Sequence, residues 1–174
     1  MQRRRLGQLD APLSAHGRRE ARLAAVRLRE QGIGSIWSSP PGRATSTARC
    51  VSLLTELPVQ HTPLAREVDH GAFAGLTKAE IDERYPGLRK RRAADKLHWR
   101  FPHGESYADA LDRADRLIEV LRAAREPRPA LVTHQMFART LMARLLAAAP
   151  DEWLEWRLAH GQFVRVPIAD VAGS

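Results

Sequence analysis

The chain reads as an α/β protein built on a largely parallel sheet, and three observations predict it. Two short apolar runs, Ser35-Ile36-Trp37-Ser38-Ser39 and Ala130-Leu131-Val132-Thr133, look like strands covered on both faces. Each runs into a segment with helical spacing of its apolar residues, and strand-like and helix-like segments alternate along the chain. The 174 residues carry no internal repeat, low-complexity tract or long linker, so 1–174 is expected to be one domain with a sizeable core.

The elements follow in order. Ser14 can cap a helix reaching about Gln31, with Ala21, Ala24, Ala25 and Leu28 on one face. Gly32 and Gly34 break it before the strand at 35–39. Pro40-Pro41-Gly42 makes a loop that opens a helix over 43–54, and 58–61 is a short second strand. Residues 62–76 look irregular, with turns at Gly71 and Gly75. A short helix over 78–84 stops at Pro86, and the polar, basic and aromatic stretch 87–103 reads as an insertion over a site. The clearest helix spans 105–124, where Tyr107, Ala110, Leu111, Ala114, Leu117, Ile118 and Leu121 recur at helical spacing. A strand over 130–133, a helix over 137–148, a short helix from Asp151 and a closing strand over 162–168 complete the reading.

Composition narrows the function. The net charge of +8 invites a nucleic-acid partner, yet the basic residues are scattered through every segment. Three of the 28 are lysines (Lys78, Lys90 and Lys96) and the rest arginines. No nucleic-acid partner is expected, whereas a phosphorylated small molecule would also welcome the positive field. No apolar run approaches a membrane span, and the basic start is not followed by the apolar stretch of a signal peptide. Cys50 is the single cysteine, which suits a reducing compartment, so a cytoplasmic location is expected.

Chemistry gathers just past the strands, where open α/β sheets bind ligands. Arg43 would place a guanidinium fork at a helix start, a good receptor for phosphate. His134 would place an imidazole at the mouth of the second strand, able to bind a phosphoryl oxygen when protonated. Glu67, in a loop bearing Gly71 and Gly75, could give or take a proton. Gly104-Glu105-Ser106, at the start of the long helix, fits a helix-terminal anion site. Each has a plainer reading taken alone: a solvated arginine, a core histidine, a carboxylate paired with Arg66, a helix cap. No His, Cys, Asp or Glu cluster has metal-ligand spacing, so no metal and no cofactor are expected.

In sequence order these segments resemble the histidine phosphatase superfamily, also called phosphoglycerate-mutase-like. The matching stretches are Gly7-Gln8-Leu9-Asp10 through Ser14 and Gly17, then Ser38-Ser39-Pro40 with Arg43 and Thr47. Glu67 with Gly71 and Gly75, Gly104-Glu105-Ser106, and Thr133-His134 follow. The resemblance implies a three-layer α/β/α sandwich and metal-independent hydrolysis of a phosphomonoester through a phosphohistidine. It implies that Arg43 is the second arginine of the phosphate clamp, His134 the second histidine and Glu67 the proton donor. The nucleophilic histidine of the family belongs to an Arg-His-Gly motif on the first, central strand. None of the seven histidines here has that context. Chain 1–174 is therefore expected to lack that strand and to be inactive as it stands. A start set at an internal methionine would explain this, and so would a non-catalytic relative that only binds phosphate compounds. Phosphotransfer of the phosphoglycerate-mutase type is a further alternative.

A finer resemblance points to the fructose-2,6-bisphosphatase branch. It rests on the stretch from Asp95 to Asp109 and on His134-Gln135 with Arg139. It implies that Arg92, Lys96, Gln135 and Arg139 bind a sugar phosphate. Lys78 stands where that branch has a tyrosine, Leu6 where the family usually has glutamine, and Ala74 where glutamate is frequent.

Overall fold

Ile36 and Val132 turn to one face of the sheet, Trp37 and Leu131 to the other, and helices cover both. The computed structural model describes residues 12–40, 42–158 and 163–168. In it β1 (Ser35–Ser38) lies between β2 (Val59–His61) and β3 (Pro129–Val132), with both pairings parallel. Ile36 sits opposite Val59 on one side and Ala130 on the other. The helices are α1 (Ala15–Glu30), α2 (Arg43–Thr55), α3 (Lys78–Arg84), α4 (Leu88–Ala94), α5 (Tyr107–Ala124), α6 (Gln135–Leu145) and α7 (Pro150–Trp153). Parallel strands cannot be joined by tight turns, so helices carry the crossovers.

One layer is α1 against α2. Ser14 Oγ accepts the Gly17 N–H at 3.1 Å and starts α1. The buried residues of α1 are Ala21, Ala24 and Ala25, small enough to let α2 approach closely. Ile36, Ala48 and Val51 fill the space beneath. The opposite layer is α5 against α6, where Leu117, Ile118, Leu121, Phe137 and Leu141 meet Trp37 and Leu131. The three layers are those expected.

A third cluster lies under residues 71–103. Phe73, Phe101, Tyr107 and Trp153 are buried there, with Trp99 and Tyr85 packed against them. The ring of Phe101 stands edge-on to those of His70, Trp99 and Phe73, with centroids 4.7, 5.1 and 5.7 Å away. This insertion is more ordered than its polar composition suggests. Its basic run forms α4, which Gly87 opens from the left-handed region at φ 77°.

Residues 163–168 differ from expectation too. They form no strand, while Gln162 lies outside the described residues. Pro167 has no N–H to give a ladder, and Ile168 packs instead against the α5–α6 core. Along its second side β3 has no strand partner among the described residues. A cavity of about 2030 Å³ runs there, with Ala21, Ala24 and Leu28 of α1 on one wall and Leu141 and Leu145 of α6 on the other. Among the described residues no helix is long and apolar enough to cross a membrane.

Candidate active site

The cavity beside β3 opens past the carboxyl ends of the strands, and Arg43, Glu67 and His134 all line it there. Arg43 is the first residue of α2, reached through Gly42 at φ 134°, a backbone conformation that glycine tolerates. Thr45 Oγ1 ties the start of α2 to the strand by donating to the Ser39 carbonyl at 3.1 Å. His134 follows β3 and precedes α6, and its Nε2 lies 3.0 Å from Ser39 Oγ. Ser39 is itself fixed, since its N–H donates to the Val132 carbonyl at 3.1 Å. Sequence reasoning noted Ser39 within a matching stretch but gave it no task. Its place one residue beyond β1 was the available signal.

Glu67 is held from both sides. The N–H groups of Val68 and Phe137 donate to Oε1 at 2.9 and 3.0 Å, and that of Met136 to Oε2 at 3.3 Å. The last two belong to the first turn of α6, where backbone donors are otherwise unpaired. Burial raises the carboxyl above its ordinary value near 4.5, against the pull of these N–H groups and of the Arg43 charge.

The sign of the stability effect follows. With its folded value raised, Glu67 binds its proton more tightly folded than unfolded. Its contribution is fully present below about pH 4.5 and is lost as pH rises through the folded value. Urea denaturation across that window should show wild type losing stability with rising pH relative to Glu67→Gln, whose side chain does not titrate.

The sugar-phosphate candidates line the same cavity: Arg92, Lys96, Gln135 and Arg139. Arg92 donates to the Tyr107 hydroxyl at 2.7 Å and lies 5.4 Å from the Phe101 ring centre. The other three grip a single segment. Arg139 donates to the carbonyls of Trp153 and Leu154, Lys96 pairs with Glu155 at 2.6 Å, and Gln135 donates to the Leu158 carbonyl at 2.9 Å. Lys96 in turn holds the Glu155 carboxyl below the usual range. His70, Lys78, Glu155 and Arg157 also line the cavity. Of these, His70, Glu155 and Arg157 were not singled out from sequence, because nothing local marks them.

Gly104, Glu105 and Ser106 do not line it. Ser106 caps α5 reciprocally with Asp109: its Oγ accepts the Asp109 N–H at 3.1 Å, and Asp109 Oδ2 accepts the Ser106 N–H at 2.6 Å. Glu105 pairs with Arg113 at 2.9 Å. A Cβ on Gly104 would run into the Asp69 carbonyl and Gly71. Gly104→Ala should therefore cost about 1–3 kcal/mol, read as a lower denaturation midpoint.

The sheet is thus covered on both faces, and an arginine, a buried glutamate and a histidine line one cavity at its carboxyl edge. The chain belongs to the histidine phosphatase superfamily (branch 1), whose family model matches residues 1–172. Rat 6-phosphofructo-2-kinase/fructose-2,6-bisphosphatase 1 is 34% identical over 145 residues, covering 82% of this chain and 30% of that protein. The chain thus spans about a third of the length of such bifunctional relatives. A probable phosphoglycerate mutase of Yersinia enterocolitica is 32% identical over 161 residues, covering 92% of this chain and 75% of the relative. Among solved structures, the mycobacterial glucosyl-3-phosphoglycerate phosphatase superposes with a TM-score of 0.75 at 34% identity, covering 86% of this chain and 76% of that one. The Shigella flexneri α-ribazole phosphatase, at 23% identity, shares the fold with a TM-score of 0.82 and covers 91% of this chain and 79% of its own.

Proposed function

We propose that this chain is the larger part of a metal-independent phosphomonoester hydrolase acting on a phosphorylated sugar or similar small metabolite. The observation that carries the reading is the meeting of Arg43, Glu67 and His134, from three separate segments, in one cavity at the carboxyl ends of parallel strands. Arg43 and His134 hold the phosphoryl oxygens and stabilise charge as it builds. A histidine nitrogen attacks phosphorus, the phosphorus–oxygen ester bond breaks, and Glu67 gives its proton to the departing oxygen. Water then breaks the nitrogen–phosphorus bond and returns a proton to Glu67. A carboxyl whose burial favours the protonated form suits the first of these steps.

The attacking histidine is proposed to lie on a strand beside β3 and not within 1–174, which leaves 1–174 inactive by itself. The β3 edge, which has no strand partner among the described residues, and the apolar side chains of Ala21, Ala24, Leu28, Leu141 and Leu145 beside it support that reading, because they suit one more parallel strand. A parallel strand there would end next to His134. A reducing cytoplasm is the proposed setting, in keeping with a free Cys50.

At the sugar end, Arg92, Lys96, Gln135 and Arg139 are proposed to bind the rest of the substrate. Lys96 must then exchange Glu155 for a substrate anion. Isothermal calorimetry with inorganic phosphate and fructose 6-phosphate tests this. Glu155→Gln should strengthen fructose 6-phosphate binding by a few-fold, the worth of one exposed ion pair. It should leave inorganic phosphate unchanged. Equal affinity of the variant and wild type for fructose 6-phosphate would remove Lys96 from the subsite.

A further inference from the structure

We infer that Arg113, through its pair with Glu105, is the positioning residue that holds Glu67 in place. Among the described residues, its side-chain hydrogen bonds go to Glu105 and to the segment just before Glu67. Nε and Nη2 donate to the two carboxylate oxygens of Glu105, both at 2.9 Å. Nη1 donates to the carbonyls of Leu64 and Arg66, each at 2.8 Å, just before Glu67 in the chain. Glu105 completes the bracket from the other side, where its Oε2 accepts the Asp69 N–H at 3.0 Å. The Glu105 N–H also donates to the Asp69 carbonyl at 3.0 Å. The loop is thus fastened one residue before Glu67 and two residues after it.

Arg113 also reaches the opposite wall. Its guanidinium carbon lies 4.3 Å from the centre of the Phe137 ring, and the Phe137 N–H is one of the donors that Glu67 accepts. One rigid planar group therefore sets both the loop that carries the carboxylate and the helix turn that receives it. Only arginine offers a fork for the carboxylate together with a further donor for two carbonyls.

Burial fits a structural investment of this kind. The Arg113 side chain is 10% exposed and that of Glu105 22%. An ion pair hidden to this degree adds little stability over apolar packing of similar volume, so its contribution lies in the groups it fixes. Glu105 thereby has a task different from ligand binding.

Its relevance to catalysis rests on the proton-donor role proposed for Glu67. Its test does not, because the readout is the carboxyl group itself. Glutamate labelled with carbon-13 at the side-chain carboxyl is built into the full 1–174 chain, and Glu67 is titrated by NMR in wild type, Arg113→Met, Arg113→Lys and Leu117→Ala. Leu117 is fully buried one turn along the same helix, in the cluster that also holds Phe137, so its loss lowers stability and disturbs the apolar packing there while removing none of the bracket's hydrogen bonds. In Arg113→Met the loosened loop admits water, and the Glu67 midpoint should fall toward the ordinary glutamate range. Arg113→Lys should give a smaller fall and carries the test if the methionine variant does not fold. Leu117→Ala should leave the midpoint where it is in wild type. Unchanged midpoints in both Arg113 variants would overturn the assignment, and so would an equal fall in Leu117→Ala. Either result leaves the hydrolase reading standing.

Discussion

Arg43→Ala is expected to weaken binding of inorganic phosphate by the 1–174 chain by about ten- to a hundredfold. The expectation follows from position and chemistry. Arg43 opens α2 at the carboxyl end of β1 and faces the same cavity as Glu67 and His134. A charge-assisted hydrogen bond to an anion is worth about 1.5–3 kcal/mol, which converts to that range of affinity. Arg43→Lys should recover part of the loss, because it restores the charge without the fork. Calorimetry at fixed ionic strength measures both variants. A phosphate affinity in Arg43→Ala equal to that of wild type would remove the clamp role. Steeply salt-dependent affinity for DNA or RNA that survives Arg43→Ala would point instead to a nucleic-acid binder.

Phe101→Ala is expected to have the largest effect on stability, about 3–5 kcal/mol. Phe101 is almost fully buried and meets His70, Phe73, Trp99 and Tyr107 ring to ring, with the Arg92 guanidinium above it. Its backbone also locks the turn at 101–105, since its N–H donates to the Glu105 carbonyl at 3.0 Å. The cavity left by the ring would sit beneath Arg92, so the side of the site that carries the sugar-phosphate candidates should loosen first. Urea denaturation gives the energy, and amide exchange at 97–107 should rise before that at 114–121.

Where the chain speaks through periodicity, its structure was legible in the sequence. The apolar spacing from Tyr107 to Leu121 appears as one buried face of α5, and the short apolar runs appear as β1 and β3 in a parallel sheet. The candidates Arg43 and His134 were found from their places after those strands, and they do line one cavity. What stayed hidden depends on contacts between distant residues. The run Arg89-Lys90-Arg91-Arg92 has no apolar stripe, yet it becomes α4 because Leu88 packs into the aromatic cluster and Arg92 reaches Tyr107. Alternation over 163–168 resembles a strand, but alternation supplies no neighbouring strand to pair with. Glu105 stands at a helix start, which suggested an anion site. Its partner Arg113 lies eight residues on, and the carbonyls that Arg113 binds belong to the loop at 64–66.

As proposed, Arg43, Glu67 and His134 form the phosphate-holding half of a phosphohistidine site whose nucleophile lies on a further strand beside β3. Hydrolysis of p-nitrophenyl phosphate tests it most directly, assayed with purified 1–174 and with the same chain extended by its upstream in-frame codons. No turnover is expected from 1–174. An extended chain bearing an Arg-His-Gly strand is expected to hydrolyse the ester, and His134→Ala to abolish that turnover. Turnover by 1–174 itself, abolished by His134→Ala, would contradict the proposal.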